Sequence, residues 1–206
     1  MPGTQLIIFV KAPRAGFVKT RLAATVGSET ALETYETLVE IITTNLRSIA
    51  NVDLHFSPAD AQDEISSWLH KNWKSSPQAD GDLGDKLQGA FHQAFGQDFE
   101  RVIIIGSDCP YVEPSDIHEA EAALSESDVV LGPATDGGYW LIGLRKPAPT
   151  LFQNIHWSTA SVLEETLARA GQENLTVTQI RELSDVDTVT DLMRFHEWRL
   201  TRPGQI

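Results

Sequence analysis

The sequence predicts an α/β fold in which a mostly parallel sheet lies between two layers of helices, a three-layer αβα sandwich. Two strongly apolar runs, Leu6–Val10 and Arg101–Ile105, are typical of strands that are buried on both faces of a parallel sheet. Strand-like and helix-like segments alternate along the rest of the chain, as expected for repeated strand–helix–strand units. No repeat or linker divides the 206 residues, so we expect a single domain over residues 1–206.

The first half of the chain continues with a long helix over Thr30–Ala50, because apolar residues recur there at helical spacing. Thr30 with Glu33 is a candidate capping box at its start. Val52–Ser57 reads as a short strand that stops at a proline. Ala61–Lys74 then carries its apolar residues on one side and predicts a second helix.

The second half of the chain repeats the alternation after a polar loop with two glycines, QADGDLG. A proline at position 114 suits the first turn of a helix. The remaining expected elements are helices Asp85–Phe95 and Pro114–Ser125, strands Val129–Leu131 and Tyr139–Leu144, helix Trp157–Ala170, strand Leu175–Thr178 and helix Thr188–Arg199.

A basic loop follows the first strand. Its cations are Lys11, Arg14, Lys19 and Arg21, no acid precedes residue 29, and the whole chain has a net charge of −13. Open α/β sheets bind ligands at the carboxyl ends of their strands, where amides and basic side chains can hold a phosphate. The loop lacks both the Gly-Lys-Ser/Thr of a Walker A loop and the three glycines of a dinucleotide fingerprint. We therefore predict a phosphate-binding loop, with a solvated basic turn as the alternative.

Composition limits the partners and the compartment. A pI near 4.8 argues against nucleic acid as a partner. The single cysteine, Cys109, excludes an internal disulfide and is expected to be buried packing. The six histidines lack the spacing of a zinc site. No apolar run approaches the roughly 20 residues of a membrane span, and the first residues do not resemble a signal peptide. We expect a cytoplasmic protein.

Aspartates that follow strands are the candidates for metal binding. Asp108 lies in GSDCP, directly after the strand Arg101–Ile105, where a carboxylate would face the phosphates held by the basic loop. Mg²⁺ usually takes one or two carboxylates together with phosphate oxygens. The alternative is that Asp108 caps the next helix. Asp185 and Asp187 precede the last helix, and Asp187 is equally well interpreted as its N-cap.

Two glycine-containing loops are candidate substrate contacts. In Asp136-Gly137-Gly138, adjacent glycines let the backbone approach a ligand, and Asp136 could act as a base or hold sugar hydroxyls. A tight hairpin turn explains this motif equally well. The loop with Asp82 and Gly84 is either a polar loop that touches ligand or an ordinary turn.

The order of these motifs resembles a bacterial family of glycosyltransferases in the nucleotide-diphospho-sugar transferase superfamily, which has the glycosyltransferase-A fold. That superfamily also contains nucleotidylyltransferases of the molybdenum-cofactor guanylyltransferase type. The resemblance runs from Leu6 to about Leu192. The segments that carry it are VKAPRAGFVKTRLA, QADGDLG, GSDCP, LGPATDGGYWLIGL and DVDTVTDL.

The resemblance implies a Rossmann-like sheet with a nucleotide bound over the first strand, and a Mg²⁺ or Mn²⁺ ion held by Asp108 together with Asp185 or Asp187. It also implies that Lys11, Arg14, Gly16, Lys19 and Arg21 contact the nucleotide and its phosphates. From the residues themselves we expect catalytic roles for Asp136 and Lys19, and further nucleotide contacts from Ala12, Pro13, Asp82 and Gly84. The expected contacts to the acceptor are Gly137, Gly138, Tyr139 and Trp157.

The resulting expectation is a metal-dependent transferase that moves a glycosyl group from a nucleoside-diphosphate sugar to a small-molecule acceptor. The absence of a glycine-rich GxGxRxG loop agrees with this choice. One alternative is a nucleotidylyltransferase, in which a nucleoside triphosphate reacts with a phosphorylated substrate and pyrophosphate leaves. A second alternative is a nucleotide-binding module without catalysis.

Overall fold

A seven-stranded sheet forms the centre of the molecule. The computed structural model describes residues 3–201. In the sheet the strands lie in the order β3-β2-β1-β4-β6-β5-β7, and β6 alone runs antiparallel to its two neighbours. The strands are β1 Thr4–Lys11, β2 Val52–Ser57, β3 Lys74–Pro77, β4 Arg101–Ile105, β5 Val129–Pro133, β6 Tyr139–Leu144 and β7 Val177–Gln179.

Helices cover both faces of the sheet and complete the predicted αβα sandwich. Successive residues of β1 point to opposite faces. Leu6 and Ile8 join a core cluster with residues of the helices Ser28–Asn45 (α2) and Pro114–Ala123 (α4). Ile7 joins a second cluster with residues of the helices Leu83–Phe95 (α3) and Val162–Gln172 (α5). All three side chains are at most 1% exposed, which confirms that this strand is buried on both faces. The helices are α1 Thr20–Val26, α2 Ser28–Asn45, α3 Leu83–Phe95, α4 Pro114–Ala123, α5 Val162–Gln172 and α6 Val189–Leu200.

The first, second and last helices meet in a third apolar cluster. Leu22 of α1, Leu38 of α2 and Phe195 of α6 pack together, and Val186 from the segment before α6 completes the contact. This packing fixes the chain after β1 against the chain after β7, so that their loops share one edge of the sheet.

The carboxyl ends of the six parallel strands all lie at that edge. The antiparallel β6 starts there as well, because a hairpin turn joins it to β5: the amide of Ala134 donates to the carbonyl of Gly138 at 3.0 Å. The hairpin alternative for the Asp136 motif is therefore the observed conformation. Every loop that carries a candidate residue reaches this edge.

One expected helix is absent. Ala61–Lys74 forms turns and a short 3₁₀ helix, Ser66–Trp68, and at Lys74 the chain enters strand β3. Ile65 and Trp68 are nevertheless buried, at 0% and 4% exposed. The apolar spacing correctly indicated which side chains enter the core, but turn and 3₁₀ hydrogen bonds, not a helix, present them to it.

Two expected helix starts are also wrong, and the structure decides one N-cap that the sequence left open. Helix α2 begins at Ser28 behind Gly27, so Thr30 is not its N-cap. The cap of α6 is Thr188, which accepts from the amide of Asp191, and Asp187 is left for other contacts. Helix α5 begins at Val162 and not at Trp157, because the intervening residues form turns.

Helix α1 and strand β3 are two elements that the sequence did not predict, whereas the other strands and helices agree with the expectation to within a few residues at each end. Within residues 3–201, no helix combines the length and the apolar character that crossing a membrane requires.

Candidate functional site

Lys19 joins two of the predicted metal-binding aspartates at the carboxyl edge of the sheet. Its Nζ lies 2.5 Å from Oδ1 of Asp108 and 2.9 Å from Oδ1 of Asp187. The Lys19 side chain is 2% exposed, whereas those of Asp108 and Asp187 are 47% and 37% exposed. We call Lys19, Asp108, Asp185 and Asp187 the Lys19 cluster. The structure thus brings together residues that lie far apart in the sequence.

Backbone geometry positions each member of this cluster. Lys19 has φ 48° and ψ 44°, a left-handed conformation that ends the loop and starts α1. Asp108 lies three residues after the last residue of β4. The segment after β7 runs beside the end of β5 and then reaches β4, where the amide of Val186 donates to the carbonyl of Asp108 at 3.0 Å. This hydrogen bond holds the residues before and after Val186 next to Asp108.

The charges of the cluster are strongly coupled. Burial lowers the pKa of the Lys19 ammonium, but Asp108 and Asp187 more than offset this, so that its pKa is raised and the ammonium stays charged. Burial also raises the pKa of Asp185 to about 7, and the negative charges of Asp108, Asp187 and Asp136 add to this, while Lys19 opposes it. The site therefore holds more negative charge than Lys19 alone compensates.

This donor set suits a hard divalent cation. Mg²⁺ and Mn²⁺ bind carboxylate oxygens, and the cluster offers two partly exposed carboxylates with a third beside them. Among residues 3–201, no three acidic, histidine or cysteine side chains already stand in a metal-binding arrangement. In the structure, the ammonium of Lys19 lies between the carboxylates of Asp108 and Asp187.

Two of the four cations of the basic loop are paired with acids. The guanidinium of Arg14 pairs with Glu64, with Nη2 2.5 Å from Oε1, and with Asp60 at 3.3 Å. Arg14 and Lys19 are thus neutralised by acids from distant segments, which the lack of an acid before residue 29 did not indicate. Lys11 and Arg21 are exposed.

The rest of the loop leaves β1 in a fixed direction. Ala12 is buried, and its amide donates to the carbonyl of Ser57 at 2.8 Å. Pro13 is half-buried, and Gly16 has φ +82°, a conformation that favours glycine. The loop then turns back to place Lys19 over the sheet.

Tyr35 of α2 contacts two loops of the site through its hydroxyl and was not identified as a candidate from the sequence. Its Oη accepts from the amide of Lys11 at 2.7 Å and lies 3.3 Å from Oγ of Ser107. Burial raises the pKa of this hydroxyl well above its usual range. Tyr35 thereby connects the end of β1 to the residue before Asp108. A tyrosine in an apolar helix face carries no sequence signal for this contact.

The Asp136 turn lies beside the segment that carries Asp185, since the hydroxyl of Thr135 donates to Oγ of Ser184 at 3.2 Å. The charge of Asp136 adds to the raised pKa of Asp185. Oδ1 of Asp136 accepts from the amide of Gly138 at 2.9 Å, which orients the carboxylate. A Cβ at Gly137 would lie 2.1 Å from the carbonyl oxygen of Ala160. The chain before α5 therefore packs directly on this turn.

A second group of predicted residues forms around the start of α3. Asp82 and Asp85 make a reciprocal capping box, with the amide of Asp85 donating to Asp82 at 3.0 Å. A Cβ at Gly84 would lie 2.7 Å from Nε1 of Trp157, so the indole packs on the backbone there. Asp82 is thus a helix cap, and Gly84 makes room for Trp157.

Tyr139 lies at the start of β6 and packs against the α3 and α5 side of the core. Its hydroxyl is buried, and burial raises its pKa well above the usual range. The ring of Tyr139 therefore packs inside the protein at the edge of the sheet. Gly138, the residue before it, is half-buried in the turn.

Comparison with families and solved structures agrees with this fold. The family model of DUF2064, described as an uncharacterized protein conserved in bacteria, matches residues 41–159. No curated protein matches the chain. A crystal structure of a "putative nucleotide-diphospho-sugar transferase" from Desulfovibrio desulfuricans G20 is 33% identical, with a TM-score of 0.89 over 98% of this chain and 88% of that one.

More distant structures share the fold alone. CMP:2-keto-3-deoxy-manno-octonic acid synthetase, solved with CTP, is 11% identical, with a TM-score of 0.63 over 97% of this chain and 99% of that one. The inositol-1-phosphate CTP transferase from T. maritima is 14% identical, with a TM-score of 0.60 over 98% and 97%. The family match covers more than half of the sequence, and the D. desulfuricans likeness covers nearly all of it. The chain therefore belongs to the DUF2064 family, within the nucleotide-diphospho-sugar transferase superfamily.

Proposed function

We propose that this protein is a metal-dependent glycosyltransferase that uses a nucleoside-diphosphate sugar and a small hydroxyl acceptor. The observation that carries the proposal is the Lys19 cluster, in which a buried ammonium and three aspartates converge at the carboxyl edge of the sheet. Ligands of open α/β sheets bind at this edge. The likeness to the D. desulfuricans protein, which carries the name of a nucleotide-diphospho-sugar transferase, supports the choice of donor.

The donor diphosphate is proposed to lie between the basic loop and the Lys19 cluster. Asp108 and Asp187 would hold Mg²⁺ or Mn²⁺, with Asp185 beside them. Such an ion supplies positive charge that stabilises the leaving nucleoside diphosphate. Lys19 would donate hydrogen bonds to the diphosphate oxygens, and the exposed Lys11 and Arg21 would add to the positive field.

The acceptor is proposed to bind at the turn that carries Asp136. The carboxylate is oriented by the Gly138 amide and would take the proton of the attacking hydroxyl. Gly137 and Gly138 let the acceptor approach the backbone closely. Trp157 and the residues after it, which pack on Gly84 and Gly137, would form the rim of this acceptor side.

Nucleotidyl transfer is the second candidate, because the fold is shared with two CTP-dependent enzymes. It would use the same cations but would release pyrophosphate from a nucleoside triphosphate. The two reactions therefore differ in which nucleotides the site should bind best.

A thermal-shift panel tests the proposal. Nucleoside diphosphates, nucleoside-diphosphate sugars and triphosphates are each added with and without Mn²⁺ to the wild type and to Asp108→Asn. At about 100 times Kd a ligand of the native state stabilises by about 2.7 kcal/mol, which raises Tm by roughly 5–10 °C in a protein of this size. We expect a Mn²⁺-dependent rise with one diphosphate sugar, lost in Asp108→Asn.

Asp63→Asn, at an exposed position away from the cluster, is the matched control and should keep the wild-type shift. A response confined to triphosphates would favour nucleotidyl transfer. A shift that needs neither Mn²⁺ nor Asp108 would favour a binding module without catalysis. If no nucleotide shifts Tm in any combination, the proposed nucleotide site is wrong.

A further inference from the structure

The positive charge of Lys19 lies deeper than the negative charges that it pairs with. The side chain of Lys19 is 2% exposed, while those of Asp108 and Asp187 are 47% and 37% exposed. Both contacts are made through Oδ1, at 2.5 Å to Asp108 and 2.9 Å to Asp187. The ammonium thus acts as the cation that holds two like charges together.

A divalent ion bound by the same two aspartates would compete with that ammonium. Mg²⁺ sits about 2.1 Å from carboxylate oxygens, so an ion on this pair and the ammonium of Lys19 would lie within a few ångströms of one another. At such separations, two positive charges in a partly buried site repel each other strongly. Both cations therefore cannot keep their best positions on Asp108 and Asp187.

A diphosphate offers Lys19 another partner. Lysine is a compact point charge on a flexible four-carbon chain, so its ammonium can turn from carboxylate oxygens to phosphate oxygens at the same edge of the sheet. We propose that Lys19 occupies the position of the metal in the free protein and yields it when the diphosphate binds, which makes metal and nucleotide bind cooperatively. This inference rests on the proposed metal and diphosphate site.

Metal binding without nucleotide isolates the contribution of Lys19. Mn²⁺ is titrated by calorimetry into the wild type, Lys19→Met and Lys71→Met, the last being a matched loss of one charge at an exposed position. Methionine retains the length of the side chain, and it bears the same left-handed backbone cost as lysine because both have a Cβ. We expect Lys19→Met to bind Mn²⁺ at least about tenfold more tightly than the wild type. Lys71→Met should bind Mn²⁺ with the affinity of the wild type.

Two further variants secure the assignment. Lys19→Gln, which keeps hydrogen-bond donors but not the charge, should also bind Mn²⁺ more tightly than the wild type. Lys19→Met combined with Asp108→Asn should lose the tight site, because the same carboxylate is needed. Far-UV circular dichroism checks that each variant is folded. In Lys19→Met we expect a lower Tm without metal and a larger rise on adding Mn²⁺ than in the wild type, since the two carboxylates then repel each other.

The outcomes separate this inference from the proposed function. If Mn²⁺ binds in an Asp108-dependent way but the Lys19 variants bind it no more tightly than the wild type, the placeholder role of Lys19 is overturned and the metal site stands. If no variant shows Mn²⁺ binding that depends on Asp108, both the inference and the proposed metal site fail.

Discussion

At the scale of single residues, Gly137 is the position where the site tolerates least change. It has φ +91°, and a Cβ there would lie 2.1 Å from the carbonyl oxygen of Ala160. Because that contact is with backbone, relief requires the Asp136 turn and the chain before α5 to separate. We expect Gly137→Ala to lower the free energy of unfolding by about 2–4 kcal/mol, the cost of a strained φ together with overpacking. Urea unfolding measures it.

Gly106 is the matched control for this substitution. It also lies beside the cluster, but a Cβ there meets nothing within 4 Å and its φ is not positive. Gly106→Ala should change stability by less than about 1 kcal/mol. Equal losses in the two variants would show that the contact between Gly137 and Ala160 does not constrain the turn.

The residues of the site were predictable to different degrees. Asp108 and Lys19 could be placed at the edge of the sheet because each follows an apolar strand, and chain order along a parallel sheet determines where such residues lie. The pairing of Arg14 with Glu64 could not, since the two are joined by side-chain contacts across 50 positions. Tyr35 was missed for the same reason: its hydroxyl contact leaves no periodic pattern.

At the scale of elements, Asp128 ties together the strands farthest from the basic loop. Its Oδ1 lies 2.9 Å from Nη2 of Arg145 and 3.0 Å from Nζ of Lys146 after β6, and its Oδ2 accepts from the amide and the hydroxyl of Thr176 before β7. The side chain is 8% exposed. These contacts, with the hydrogen bonds to Thr176 as the largest contribution, hold the pKa of Asp128 well below its usual range.

The sign of the pH dependence follows from that lowered pKa. The stabilisation is complete above the ordinary aspartate pKa of about 4 and is lost as the pH falls toward the lower folded-state value. We expect Asp128→Asn to cost about 2–3 kcal/mol at pH 7, because a buried, multiply bonded charge is removed. The difference from the wild type should shrink steadily below about pH 4, as measured by urea unfolding at several pH values.

Asp63→Asn serves again as the exposed control and should follow the wild type at every pH. A difference between Asp128→Asn and the wild type that stayed constant from pH 7 to pH 3 would contradict the assignment. In that case the loss would arise from packing and not from the charge.

Strands and helices were predictable where their buried side chains leave an apolar pattern in the sequence, and they were unpredictable where no such pattern exists. Strands β1 and β4 contain the continuous apolar runs Leu6–Val10 and Val102–Ile105 and were identified from sequence. Strand β3 has the sequence KSSP, lies at the edge of the sheet and has no fully buried residue, so no apolar pattern marks it. Ala61–Lys74 shows the converse case, because its apolar residues have helical spacing but are buried by a series of turns. An ion pair between Glu64 and Arg14 also holds these turns in place.

At the scale of the whole molecule, the fold class was predictable because the alternation of strands and helices restricts the topology. The reversed strand β6 was not, since a five-residue turn with two glycines fits both a hairpin and a ligand loop. The single domain over residues 1–206 remains a prediction. Its physical basis is the sheet, which contributes residues to two of the three apolar clusters, and the third cluster, in which the first and last helices meet.

That basis makes Phe195 of α6 a test of cooperativity for the entire chain. Phe195 is 1% exposed and packs with Leu22 of α1 and Leu38 of α2. Phe195→Ala should therefore lower the free energy of unfolding by about 3–5 kcal/mol. Met193, on the same helix but 62% exposed, is the matched control, and Met193→Ala should change it by less than about 0.5 kcal/mol.

If the chain is one cooperative unit, tryptophan fluorescence and far-UV circular dichroism should report the same urea midpoint in each protein. In Phe195→Ala both midpoints should fall together, because α6 cannot detach without exposing the faces of α1 and α2 that hold the basic loop in place. Two separated transitions in that variant would show that the last helix unfolds by itself. The chain would then consist of a stable sheet with a detachable end, and Asp187 would reach Lys19 only while that end is docked.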